Sequence, residues 1–504
     1  MEERFDVVIV GGGLGGLECG VILSREGYKV LVLEKNKQLG GNLQTFSRDK
    51  RIFDTGIHYV GGLDEGQNLN QYFRYLGIMD SLKLKKLDED GFDIVSFEGE
   101  EKKYRHAQGY QNFIEKLVED FPKEREGITT YANKLKEVCD SFPMYNLKQS
   151  SGDLKNIPFL DVNAHDYIAS VTQDEKLRKV LAGTNVLYAG EADKTPLYVH
   201  ALVVNSYIES AYRCVNGSAQ IAKGLNRIIL QNGGKVEKHA HVTKFHFNGD
   251  KIDYVELKDG RRFYGKEFIS NVHPAVTLDM IEEGKIRNAY RKRIASLENS
   301  VSTFIVHVVL KENSIKYFNH NVYHYIDHDV WKGPKYEVNK WPISYAIFTG
   351  VTSKQEEYAD TLTIMAYMRD EETAAWADSY NVVNSEMYRG QSYDDFKQEK
   401  AEKLISAVEA NMPGLRNHIY SYYTSSPLSY RDYIGDKWGS LYGVMKDYKN
   451  PLKTFISAKT KIPNLYLTGE NLNMHGALGV TIGAITTCSE FLGNKYIMDK
   501  VVLA

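Results

Sequence analysis

The chain has 504 residues, of which 42% are hydrophobic and 26% charged, and a net charge of −3 at pH 7. That length exceeds what one ordinary core supports, so two or three domains or subdomains are expected. The near-neutral balance excludes a general electrostatic attraction for nucleic acid or acidic membranes.

Residues 5–10 (Phe-Asp-Val-Val-Ile-Val) form a near-continuous apolar run, as expected of a parallel strand buried on both faces. The turn Gly11-Gly12-Gly13-Leu14-Gly15-Gly16 follows, then a helix to about residue 26 and a second strand over 29–33 that ends at Glu34. This is a βαβ unit of the usual ~30 residues. Residues 66–180 read mainly as helices, at 68–76, 110–120, 124–142 and 174–181, with apolar positions three and four apart. Further helices are predicted over 198–212 and from 219 to about 231. Alternating strands follow at 235–237, 242–247, 252–257 and 262–264, and 267–271 reads as a strand returning to the first unit. The stretch 302–368 is strand-rich, with strands at 302–310, 322–326, 344–349 and 361–368; a helix over about 393–410 comes next. A short strand at 464–469 leads into a glycine-punctuated helix from 476 to 493. The pattern implies a discontinuous nucleotide domain (1–65, 200–290 and 455–504) and a second domain (66–199 and 291–454) inserted into it.

Cys19, Cys139, Cys214 and Cys488 stand far apart with no CxxC pair, which suits a reducing compartment and argues against a zinc site or a disulfide framework. The first strand begins at Phe5, leaving no room for a signal peptide, and no apolar run approaches the roughly 20 residues that span a bilayer. A cytoplasmic location is expected, with peripheral attachment to a membrane through an exposed apolar patch compatible with it. The 35 Tyr and 20 Phe residues either fill cores or wall a pocket for a flat, elongated apolar ligand.

Gly11, Gly13 and Gly16 complete a GxGxxG pattern between a buried strand and a helix. The first permits the tight turn, the second lets a pyrophosphate approach the backbone, and the third lets helix and strand pack closely. The helix N-terminus at Leu14 and Gly15 then offers unpaired N–H groups and a positive dipole end to phosphates. Glu34, 18 residues beyond Gly16 and followed by Lys35, is placed to accept both ribose hydroxyls of an adenosine and to disfavour a 2′-phosphate. No second GxGxxG follows a buried strand, so a soluble nicotinamide donor would need another route to the site.

A second glycine pair follows the acid, in Leu39-Gly40-Gly41-Asn42-Leu43-Gln44-Thr45-Phe46. It resembles the extended fingerprint of the flavin amine oxidase and phytoene desaturase superfamily, in which this loop runs along FAD; that family commonly has Arg where this chain has Asn42. The stretch Phe53-Asp54-Thr55-Gly56-Ile57-His58-Tyr59-Val60-Gly61 closely resembles that of retinol saturases and carotenoid isomerases, where it passes near the isoalloxazine. The resemblance implies that Val242 recognises adenine through its backbone, and that Gly469 and Glu470 bind the ribityl–phosphate region. It also implies that the following helix start, with Gly479 and Val480, faces the flavin pyrimidine. Relatives often have Gly-Gln-Asp where this chain has Gly469-Glu470-Asn471. The similarity touches nearly the whole length. It implies an α/β fold: an FAD-binding Rossmann-like domain of the GR2 type with an inserted α+β substrate domain.

The resemblance implies an FAD-dependent oxidoreductase acting on carbon–carbon double bonds of an apolar polyene or isoprenoid lipid. The reaction would be a retinol saturase-like reduction or a carotenoid desaturation or isomerisation, with an undefined electron partner. His475, His58 and Tyr59 are the candidate proton donors; each alternatively packs around the flavin or shapes the pocket. A flavin amine oxidase is a second reading, against which no paired-aromatic signature is found. A non-catalytic lipid carrier on the same fold is a third, against which the intact glycine turn, Glu34 and Gly469-Glu470 argue.

Overall fold

The computed structural model of the protein describes residues 3–150, 157–353, 357–383 and 387–504. The apolar run at the start forms the strand Arg4–Val10, paired in parallel with Val30–Leu33 on one side and Arg262–Ser270 on the other. Its residues alternate between two cores: Val7 and Ile9 belong to one buried cluster, Phe5, Val8 and Val10 to another. Both faces are therefore covered, which is why the run lacks polar alternation beyond Asp6. The sheet runs Lys235–Glu237, Val30–Leu33, Arg4–Val10, Arg262–Ser270, Lys251–Leu257, Val242–Asn248, and Leu465–Leu467 adds in parallel to the second half of Arg262–Ser270.

That long strand corrects the sequence reading, which splits it at Gly265. Its first half pairs antiparallel with Lys251–Leu257 and its second half parallel with Arg4–Val10 and Leu465–Leu467. One strand thus carries an exposed alternating pattern and then a buried one, and periodicity alone separates them. The helix Leu14–Arg25 packs between Ala219–Gln231 and Gly476–Leu492.

A second seven-stranded sheet runs Ile419–Ser425, Ser302–Leu310, Thr361–Met368, Ser344–Thr349, Asn321–Tyr325, Asp93–Phe97, Lys103–His106. Its only parallel pair among the described residues joins Asn321–Tyr325 to Asp93–Phe97. The two outer strands, Asp93–Phe97 and Lys103–His106, interrupt the stretch that reads as mainly helical. The helices there include Asn68–Tyr75, Tyr110–Asp120, Arg125–Asp140 and Glu175–Leu181. The apolar helix expected over 198–212 ends at Glu209, and Ala211–Cys214 is a strand in a three-stranded sheet with Val60–Gly61 and Leu84–Lys86. Further elements escape the sequence reading, among them the helices Ala164–Val171 and Pro427–Ile434, the strand Ile419–Ser425 and the C-terminal helix Asn494–Leu503. Among the described residues no helix is long and apolar enough to cross a membrane, and no cluster of His, Cys, Asp or Glu could hold a metal ion.

Candidate functional site

One cavity of about 1260 Å³ runs from the glycine turn into the space between the two large sheets. At the turn, Gly11 has φ +99°, a conformation that L side chains rarely adopt. A Cβ on Gly16 would lie 2.1 Å from the Gly11 carbonyl oxygen, so the helix can approach the strand only with hydrogen at that position. The helix Leu14–Arg25 begins at Gly13 with no side-chain cap and no acid in its first turn. The helix Gly476–Leu492 begins at His475 in the same way. Two uncompensated helix N-termini therefore open on one cavity, an arrangement suited to anionic groups.

Glu34 is buried, and its carboxylate accepts N–H groups from Gly12 at 2.9 Å and Asn36 at 2.8 Å. Burial pushes its pKa up, against those hydrogen bonds and the nearby Lys35 charge. Lys35 itself donates to the Asp432 carbonyl at 2.7 Å. The Gly40 N–H donates to the Gly12 carbonyl at 2.8 Å, which seats the second glycine pair against the first. Glu470 lines the same space; its carboxyl is raised to about 8 by burial and by the Asp436 charge, and it accepts from Asn42 Nδ2 at 3.4 Å.

Beyond the glycines the walls become aromatic and aliphatic, with Tyr198, Leu202, Tyr207, Phe348, Met365 and Phe455 among them. His58 stacks on Phe348 with ring centroids 4.4 Å apart. Its Nε2 is buried without a partner among the described residues, and burial lowers its pKa to about 4. A neutral imidazole with an unmatched ring nitrogen beside a cavity is a group that a bound ligand would satisfy. His475 donates from Nε2 to the Leu187 carbonyl at 3.1 Å, since that oxygen can only accept, and its ring lies 4.6 Å from that of Tyr442. Burial lowers it to about 4, so the ring is neutral at pH 7 and its N–H is already committed. The Tyr59 hydroxyl donates to Asp93 Oδ2 at 2.9 Å and lies 2.6 Å from the Tyr323 hydroxyl.

Of the residues singled out from the sequence, Gly11, Gly13, Leu14, Gly15, Glu34, Lys35, Gly40, Gly41, Asn42, His58, Tyr59, Val242, Gly469, Glu470, His475, Gly479 and Val480 all line this cavity. Gly16 stands behind it, in the helix–strand contact. Local spacing does not single out Asn271, although its side chain lies under Gly13, Gly15, Gly16 and Gly469, and its Nδ2 donates to the Gly11 carbonyl at 3.4 Å. The signal was its place at the end of a buried parallel strand beside the glycine turn. Lys446 was missed as well: its buried Nζ donates to the carbonyls of Thr454 at 2.9 Å and Leu472 at 3.0 Å, bracing the loop that precedes His475. Nothing local in the sequence marks it.

The sequence profile of the flavin containing amine oxidoreductase family matches residues 14–487. The chain is 27% identical to the all-trans-retinol 13,14-reductase of Rattus norvegicus over 100% of this chain and 88% of that protein. It is 24% identical to prolycopene isomerase 2, chloroplastic, of an Oncidium hybrid cultivar, over 93% of this chain and 80% of that one. Among solved structures, an oxidoreductase from Methanosarcina mazei superposes with a TM-score of 0.65 at 15% identity, over 96% of this chain and 100% of that one. At that identity the likeness concerns the fold.

Proposed function

The chain belongs to the flavin containing amine oxidoreductase family, and from that premise we propose that it binds FAD and adds two hydrogens across a carbon–carbon double bond of an apolar polyene. The observation that carries this reading is the continuity of the cavity, which joins a dinucleotide cradle to an aromatic arm without a break. Two relatives act, by name, on all-trans-retinol and on prolycopene. The division into a discontinuous nucleotide domain (1–65, 200–290, 455–504) and a substrate domain (66–199, 291–454) belongs to the same proposal, as does a cytoplasmic chain that meets its substrate at a membrane surface.

The residues present fit FAD. Glu34 would offer lone pairs to ribose hydroxyls, the Gly13–Gly15 backbone would hold the diphosphate, and the unpaired ring nitrogen of His58 is left for a ligand. When bound, FAD supplies the exchange of a hydride with one alkene carbon. The chain does the rest. The glycine turn with the N-terminus of Leu14–Arg25 would hold the diphosphate, and the N-terminus of Gly476–Leu492 would stabilise negative charge on the flavin pyrimidine. The aromatic arm excludes water and fixes the double bond in place. A proton must reach the second carbon, and neutral His475, with its N–H given to Leu187, holds the wall rather than donating.

The test is product analysis. Protein loaded with FAD and given a chemical reductant is incubated with retinoids, carotenoids and unsaturated acyl compounds. A product heavier by two hydrogens at one double bond supports the reading, and recovery of every compound unchanged refutes it.

A further inference from the structure

Behind the cavity wall, hydrogen-bonded to the lining residue Tyr59, lies a buried polar group that the reading above leaves unused. Asp93 lies on the strand Asp93–Phe97 of the second sheet and is 1% exposed. Its Oδ2 accepts from Tyr59, and its Oδ1 accepts from Asn321 Nδ2 at 2.8 Å. The nearest cation does not touch it. The Arg213 guanidinium, also buried, donates to Asn321 Oδ1 at 2.8 Å, to the His320 carbonyl at 2.7 Å and to the Tyr317 hydroxyl at 2.8 Å. Asn321 thus stands between carboxyl and guanidinium as an insulating amide.

This separation has a chemical consequence. A buried carboxyl in direct contact with arginine stays ionised, whereas one removed from its cation by a neutral amide can hold a proton. Burial pushes Asp93 up to about 7, with Asn321, Tyr59 and Arg213 pulling it back. The groups facing it are Tyr59, Tyr323 and Tyr207, all of which burial holds as neutral phenols, together with Asn321 and Arg213. When Asp93 is ionised, the Tyr59 hydroxyl donates to it. When Asp93 is protonated, that bond reverses and the Tyr59 proton is released for another acceptor. Tyr59 lines the cavity, its ring 4.4 Å from that of Tyr207, which also lines it.

We propose that Asp93, Tyr59 and Tyr323 form the proton store of the cavity, with Asp93 holding the exchangeable proton and Tyr59 relaying it to the substrate. The relay rests on the double-bond reduction proposed above. In each turnover the O–H bond of Tyr59 breaks as a C–H bond forms on the second alkene carbon. The Asp93 proton moves to Tyr59 Oη, and Asp93 is left as a carboxylate that regains a proton from solvent. The hydride and its electron pair would be supplied to the first carbon by bound, reduced FAD, which an external reductant (dithionite in the test) would regenerate. Tyr59 is the catalytic residue here; Asp93 and Tyr323 act through it as positioning residues.

The experiment uses the FAD-loaded protein, Asp93→Asn, Tyr59→Phe and Tyr323→Phe. Two signals are followed across pH: the infrared band of a protonated buried carboxyl, assigned by its loss in Asp93→Asn, and the rate of polyene reduction. The expected result is a carboxyl that titrates near neutral pH in the wild type and in Tyr59→Phe. With it, polyene reduction falls about 100-fold in Asp93→Asn and Tyr59→Phe, the scale of a lost general acid. The neutral inflection of the rate should vanish in both, with FAD content unchanged. Tyr323→Phe, which removes the hydroxyl 2.6 Å from that of Tyr59, should shift that inflection and lower the rate about tenfold, less than either of the other two. Wild-type rate and inflection in Asp93→Asn would overturn the relay and leave the reduction standing. A carboxyl that stays ionised throughout would overturn the relay whatever the substrate. A titrating Asp93 in a protein that reduces no polyene would uphold the proton store and overturn the reduction instead.

Discussion

The two ends of the cavity are built from different material. The end at the glycine turn is mostly backbone: bare glycines, two uncapped helix N-termini and one carboxylate held by main-chain N–H groups. The far end is side chain, contributed by strands of the second sheet (Phe348, Met365), the helix Leu197–Glu209 (Tyr198, Leu202, Tyr207) and Phe455. A backbone site tolerates no added atoms but needs few particular residues, while a side-chain site can change its lining and keep its shape. On the reading proposed above, the backbone end would hold the cofactor and the side-chain end would select the substrate.

The sharpest way to break the contrast is at Gly16. Gly16→Ala puts a methyl 2.1 Å from the Gly11 carbonyl. Bound flavin should fall to near zero, and stability should drop by about 3 kcal/mol, as for overpacking that the backbone must absorb. Flavin stoichiometry and denaturant unfolding measure both, and a fully flavinated, equally stable variant would remove the backbone account.

Glu34→Ala comes next. It leaves the Gly12 and Asn36 N–H groups unpaired and removes the proposed ribose acceptor, so FAD affinity should weaken by about 2 kcal/mol. Equilibrium dialysis reads this directly, and unchanged affinity would deny Glu34 its role.

Glu18 tests the same end by pH. It sits on the helix Leu14–Arg25, fully buried, with Oε1 accepting from the Thr481 hydroxyl at 2.7 Å and Oε2 unmatched among the described residues. Burial raises it to about 8, so the folded state favours the protonated acid. Its contribution is therefore fully present below the unfolded value and is lost as pH rises through 8. Glu18→Gln should be as stable as wild type at pH 5 and more stable by about 2 kcal/mol at pH 9. Parallel unfolding curves at the two pH values check it, and an equal difference at both would place the carboxylate elsewhere.

The smallest effect belongs to the far end. His475→Ala should keep its flavin and slow turnover about tenfold, the scale of a loosened wall rather than a missing proton donor. A loss as large as that of Tyr59→Phe would return the donor role to His475.

How much of this was legible follows from the same contrast. The glycine turn, Glu34, Gly40-Gly41 and Gly469-Glu470 carry their chemistry in local spacing, and all reach one cavity. His58, Tyr59 and His475 could be picked out but not given roles, because a histidine's tautomer and a tyrosine's partner depend on residues far along the chain. The Tyr59 partners, Asp93 and Tyr323, are 34 and 264 positions away. Asp93 also lies on a strand hidden in a stretch that reads as helical, so neither its burial nor its neighbours could be inferred. Arg213 and Asn321, 108 positions apart, meet only because a short strand from the three-stranded sheet abuts the second large sheet.

The most direct measurement of the central claim, that one cavity holds flavin and polyene together, is an anaerobic titration. FAD bound to the protein is photoreduced without oxygen, and polyene is added stepwise while the oxidised-flavin absorbance is followed. One flavin reoxidised for each double bond lost is the predicted result. A flavin that stays reduced in the presence of every retinoid, carotenoid and unsaturated acyl compound would contradict it.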